Sequence, residues 1–424
     1  MTTTSLPHRR RRWLAAALLA LAAASPGCTG CFNQETSPVD TLGSNLPRTC
    51  ESSPPLAQPQ RLEILFVIDN SGSMRPSQEA VARELTSFVE AIRQGGGVRQ
   101  DFQVGVVTTS VYQHTTFMGT DFVRLFPEQS GHLRPVPDVL DGGVFVYDTA
   151  NERVLSGDDP GLVSKFSLLA RQGIAGSGQE TPFEAVRLAL LGDLASIPLA
   201  MGGNQGFLRD GSRLLVVVLS DEDDCSEEAR PPRVAVTNDP SVADCVADGA
   251  LLTSVADYHR RFTTQLDNAD GTPREIIWAE IAPVARGTKV AMGILDNGQV
   301  RNIDCPTSHG AGVRHRAMAE LFDPSLQNLD SICNDSFHDT LVRIAALAGV
   351  SQTLDVTGVP DVRLLQAEIV RKDGAIKDCT VSNGGLAGTS GTVDGGAAVR
   401  LQFLGQCLRR ADDRALTFRL LCAT

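Results

Sequence analysis

The chain lacks any apolar run near the roughly 20 residues that a membrane-spanning helix needs, which excludes a polytopic membrane protein. It also lacks a surplus of positive charge. Its 38 Lys+Arg against 50 Asp+Glu give a net charge of -12, and an acidic surface repels phosphate backbones, so nucleic acid is excluded as a partner. Aromatics are few at 5%, but 42% of the 424 residues are hydrophobic, enough for one large core or two modest ones. The signatures of catalysis are missing as well. The seven histidines (His8, His114, His132, His259, His309, His315 and His338) form no His-Glu-x-x-His helix, and no Gly-x-Ser-x-Gly elbow occurs. No glycine-rich phosphate loop follows any apolar run, so a nucleotide has no cradle. The expectation is a globular binding protein and not an enzyme.

The N-terminal 27 residues read as an export signal. Arg9 to Arg12 precede the apolar run Trp13 to Ala24, and Ser25-Pro26-Gly27 leads into Cys28. Cys directly after a small residue is the pattern of a lipoprotein signal, with Cys28 lipidated as the mature N-terminus. Residues 28–60 are polar and rich in proline, the composition of a flexible tether. The expected location is the bacterial cell envelope, facing the periplasm or the cell surface, with attachment to the membrane by the N-terminal lipid alone.

Export sets the redox state of the remaining cysteines. Neighbours in sequence suggest Cys225–Cys245 and Cys305–Cys333, with two of Cys379, Cys407 and Cys422 joined. Cys305, His309, His315 and Cys333 offer an alternative zinc set at loose spacing.

Strands and helices alternate through the middle of the chain. Leu62 to Ile68 is a nearly continuous apolar run, as in a strand buried on both faces. Gln78 to Ile92 places Val81, Leu85, Phe88, Val89 and Ile92 at helical spacing. Strands are expected at Phe102 to Thr109, Arg213 to Ser220 and Glu275 to Ile281. Helices are expected at Thr181 to Leu194, Leu251 to Leu266 and Phe337 to Ala348. This alternation predicts an α/β domain over 61–350: a doubly wound, mostly parallel sheet with helices on both faces. Ligands of such sheets bind beyond the carboxyl ends of the strands. Two long insertions are expected, at 112–178 and 225–250. Pro127, Pro135, Pro137, Gly142 and Gly143 punctuate the first, with Val144 to Tyr147 as a hairpin arm, and it is the candidate for partner specificity. Short alternating segments with glycine-rich turns over 351–424 predict a small β subdomain stapled by cysteines.

The strand ends carry the informative residues. The first runs into Asp69-Asn70-Ser71-Gly72-Ser73, a loop supplies Thr181 before Pro182, and the central strand runs into Asp221. These five positions, in this order on these elements, resemble the von Willebrand factor type A family over roughly residues 60–350. The resemblance implies a metal-ion-dependent adhesion site in which Asp69, Ser71, Ser73, Thr181 and Asp221 hold magnesium, with calcium or manganese as alternatives. A small hard cation takes about six oxygen ligands, and neutral hydroxyls leave it much of its charge. The family's use of such an ion implies a protein partner that offers it a carboxylate. The competing expectation is a structural envelope protein in which the ion serves folding only. Where the family usually has glycine after the last acid, Glu222, Asp223 and Asp224 follow here. They either hold a second cation, calcium by preference, or are solvated.

Overall fold

The computed structural model describes residues 55–421, apart from 95–97, 141–143, 238, 240, 243, 248 and 394–395. The export signal, Cys28, Cys422 and most of the tether therefore lie outside the described residues. Among those described, no helix is long and apolar enough to cross a membrane.

The fold is mixed α/β around a six-stranded sheet. Its strands are β1 (Gln60–Ile68), β2 (Gln100–Thr108), β3 (Leu155–Ser156), β4 (Arg213–Leu219), β5 (Ile276–Ala282) and β6 (Gln327–Ser331). Across the sheet they run in the order β6-β5-β4-β1-β2-β3, all pairs parallel except β2 with β3. Among the described residues the helices of eight residues or more are α1 (Arg75–Gln94), α2 (Leu162–Leu169), α3 (Pro182–Leu191), α4 (Val255–Gln265), α5 (Val313–Leu321) and α6 (His338–Gly349).

Successive side chains of a strand point to opposite faces, so an uninterrupted apolar strand needs cover on both. On one face Leu62, Ile64, Phe66 and Ile68 pack with Phe88 of α1, Phe166 of α2 and Leu341 of α6. On the other, Leu65, Val67, Val216 and Trp278 pack with Phe183 of α3, Tyr258 of α4 and Met318 of α5. Aromatic contacts lock both layers, with Phe66 and Phe166 ring centres 4.9 Å apart and Phe262 stacked on Trp278 at 5.4 Å.

Four features differ from the sequence expectation. The described residues of the stretch 112–178 are only partly an insertion. They hold the hairpin Tyr112–Phe117/Thr120–Leu125, the small hairpin Asp138–Leu140/Val144–Val146, and then β3 and α2, which belong to the sheet and its cover. A two-residue strand carries too few residues for periodicity to reveal. β6 (QNLDS) escapes notice because an edge strand needs no apolar run, and α5 because its amphipathic pattern is weak. The tether ends earlier than its composition implies. Leu56–Ala57 pairs antiparallel with the strand Thr353–Thr357, setting Leu56 opposite Thr357 and Ala57 opposite Val356. Just beyond, Gln60 Nε2 donates to the Thr353 carbonyl at 2.7 Å.

Residues 351–421 form two small antiparallel sheets. Leu56–Ala57, Thr353–Thr357, Gly396–Phe403 and Leu386–Val393 make one; Ile376–Cys379, Leu365–Val370 and Ala415–Leu420 make the other. Leu354, Val356, Leu365, Ile369, Leu401 and Phe403 fill the core they share. The Cys379–Cys407 disulfide and the buried Arg371–Asp413 pair, with contacts of 2.8 and 2.9 Å, hold it closed.

Candidate metal site

In open α/β sheets the crevice for a ligand lies where the strand order reverses. Here that point falls between β1 and β4, because the chain steps from β1 outward to β2 and β3 and then returns to the other side of β1. Asp69 leaves the end of β1, and Ser220-Asp221 leaves the end of β4. The sheet thus delivers both acids to one place by topology alone.

Short hydrogen bonds join the two loops. Asp69 Oδ1 accepts from the Ser71 N–H at 2.8 Å, and Asp69 Oδ2 accepts from the Ser220 hydroxyl at 2.7 Å. The Ser71 and Ser73 hydroxyls lie 3.2 Å apart, and Ser73 Oγ donates to Asp221 Oδ1 at 3.1 Å. Four of the five expected residues therefore form one linked cluster. Thr181 stands at the N-cap of α3 before Pro182, but its side chain makes no capping hydrogen bond. Its hydroxyl donates instead to the Thr109 carbonyl at 2.6 Å, which leaves both oxygen lone pairs for another ligand. No direct hydrogen bond joins Thr181 to the other four among the described residues.

Two further acids complete the surroundings. Glu180 is fully buried, takes a hydrogen bond from the Thr109 hydroxyl on Oε2, and has no hydrogen-bond partner on Oε1. Glu222 is half-buried beside Asp221. Burial lifts the carboxyl pKa of Asp69 above its ordinary range. Burial and the charge of Asp69 lift Asp221 well above that range, and burial with Asp69 and Asp221 does the same to Glu222. Burial, then Asp69, Glu222 and Asp221, lift Glu180. Burial is the largest influence on all four. Acids crowded this way favour proton uptake unless a cation enters. Among the described residues no three His, Cys, Asp or Glu side chains converge as a metal-binding group, so a cation here depends on the hydroxyls. Two carboxylates with three hydroxyls suit a hard oxygen-seeking ion. The sequence does not single out Glu180 or Ser220, although each directly precedes an expected ligand.

The segment after Asp221 corrects the sequence expectation. Asp224 is buried and pairs with Arg314 Nε at 2.8 Å. Asp223, also buried, accepts the N–H groups of Asp224 and Arg314 on Oδ1, both at 3.0 Å. Neither is a solvated surface acid: both are buried, Asp224 is held by Arg314, and Asp223 Oδ1 is taken by two backbone N–H groups. The zinc alternative also falls, because Cys305 and Cys333 are joined in a disulfide. Cys225–Cys245 is a further disulfide among the described residues and anchors the end of the acidic segment.

No family model matches the chain, and no curated protein matches its sequence. Among solved structures it is similar to a von Willebrand factor type A protein from Catenulispora acidiphila, at 13% identity and a TM-score of 0.33, over 86% of this chain and 57% of that one. It is similar to the pilus adhesin SpaC from Lactobacillus rhamnosus GG at 12% identity and a TM-score of 0.32, over 86% and 39%. Proximal thread matrix protein 1 from the mussel byssus gives 11% and 0.28, over 73% and 51%. The chain thus spans between about two fifths and three fifths of the length of these proteins.

Proposed function

We propose that the chain is an exported binding module of the von Willebrand factor A type, in which Asp69, Ser71, Ser73, Thr181 and Asp221 hold a divalent cation, magnesium by preference. The observation that carries this reading is the hydrogen-bonded joining of Asp69, Ser71, Ser73 and Asp221 from two loops at the strand-order reversal, with the buried Glu180 carrying an unpartnered carboxylate oxygen nearby. When bound, the ion supplies a positive centre that a partner's carboxylate can reach. Ser73 and Glu222, only half-buried, are the approach to it. Asp69, anchored by Ser71 and Ser220, holds the serine loop in place and balances part of the ion's charge. The three disulfides among the described residues suit an oxidising compartment, as export and attachment through Cys28 require.

A second reading, a cation that serves folding only, is favoured by the depth of the site. Asp69 and Thr181 are 0% exposed, Ser71 3% and Asp221 4%. Affinity capture from envelope extracts separates the two. A protein retained with magnesium, released by chelator and not retained by Ser73→Ala supports the adhesive role. A magnesium-dependent rise in melting temperature with no such capture supports the folding role.

A further inference from the structure

Beside the candidate cation site lies an open cavity of about 240 Å³ that shares Glu222 as a wall. Asp223 lines the same cavity. It is 7% exposed, and its Oδ2 has no hydrogen-bond partner, since Oδ1 takes both backbone N–H groups. Val236, Val246 and Val300 supply apolar walls, and His309, whose N–H donates to the Asp221 carbonyl at 2.8 Å, ties the cavity to the loop that carries Asp221.

These walls select a kind of ligand. Valine side chains are poor neighbours for a hydrated metal ion, which keeps its own water shell. A carboxylate would meet Glu222 and Asp223 as like charges. A purely apolar group would cover the half-buried Glu222 carboxylate without pairing it, a costly arrangement. A long aliphatic stem ending in a positive head satisfies all three demands, the stem lying on the valines and the head meeting the acids.

We propose that this cavity receives a lysine or arginine side chain of the partner. The inference rests on the reading of the chain as a protein-binding module and names what the partner offers next to its carboxylate. The partner's contact segment then carries an acidic and a basic residue close together. This also answers the negative potential around the site, which would turn away a purely acidic partner.

The test uses N-acetyl-lysine methylamide and N-acetyl-arginine methylamide as probes, with the norleucine analogue as the uncharged control. Binding to the purified chain is read by saturation-transfer NMR in chelator and again in magnesium. The basic probes are expected to bind at least tenfold more tightly than the norleucine analogue, in chelator as well as in magnesium. Glu222→Gln is expected to weaken them at least tenfold, and Val300→Trp to abolish binding by filling the cavity. Equal binding of the norleucine analogue overturns the inference, as does unchanged binding in Val300→Trp. Because binding is measured without a cation, it stands or falls separately from the metal site: a chain that takes the basic probes but no magnesium would sink the metal reading alone.

Discussion

Arg314→Met tests whether the acidic segment after Asp221 is held by an ion pair or waits for a metal. The native Arg314 side chain is nearly buried and donates to Asp224 Oδ2 at 2.8 Å and to the Thr253 carbonyl at 2.8 Å. Methionine keeps much of the volume and the backbone N–H to Asp223 but removes the charge. Asp224, with no exposed surface, then keeps only Ser226 and the Phe183 N–H at 3.3 Å. Breaking one side of a buried pair costs about 3–5 kcal/mol. In a protein of this size that corresponds to a fall in melting temperature on the order of 10 °C. The double variant Arg314→Met/Asp224→Asn removes the stranded charge and is expected to recover most of the loss. Calorimetric melts at neutral pH with millimolar calcium and with chelator complete the test. A loss under about 1 kcal/mol would refute the argument. So would restoration of the single variant by calcium, since the acids would then be acting as cation ligands.

Glu180→Gln is expected to raise the melting temperature in chelator and to shrink the rise that magnesium produces, because it removes one of four crowded acids; a fall in chelator counts against the crowding. The chelated protein is expected to lose stability as pH rises. Folded carboxyls with raised pKa values bind more protons than unfolded ones, so their stability is fully present below the ordinary carboxylate range near 4 and drains away above it. Melting temperature against pH, with and without magnesium, measures this, and identical profiles would contradict it. Gly176→Ala places a methyl group against Asn70 Oδ1 and the Ser110 hydroxyl and is expected to cost about 1–3 kcal/mol in a urea melt, with weaker cation binding. Replacing Cys379 and Cys407 by serine is expected to cost about 3 kcal/mol, the loss for a loop closed across 28 positions, read by the same melt.

Much of this fold is legible in the sequence because buried parallel strands advertise themselves. LEILFVI and RLLVVVL must be covered on both faces, and the acids that follow such strands fall on one edge of the sheet. The strands with weaker signals stay hidden. Leu155–Ser156 is too short for periodicity, and Gln327–Ser331 is an edge strand that is largely polar. The Leu56–Ala57 strand resembles tether because composition cannot reveal pairing with residues about 300 positions later. Within the site, Asp69, Ser71, Ser73 and Asp221 are readable from spacing. The fate of Asp223 and Asp224 is not, because it depends on Arg314 of α5, some ninety residues later, folding back on them. A run of acids in sequence carries no mark of whether water or an arginine will meet it.

Titration of the purified chain with magnesium by isothermal calorimetry, beside Asp69→Ala and Asp221→Ala, addresses the cation directly. One site is expected in the wild-type protein, with a heat that both substitutions remove. Absence of binding in the wild type, or equal binding in the two variants, would contradict a cation held between these loops.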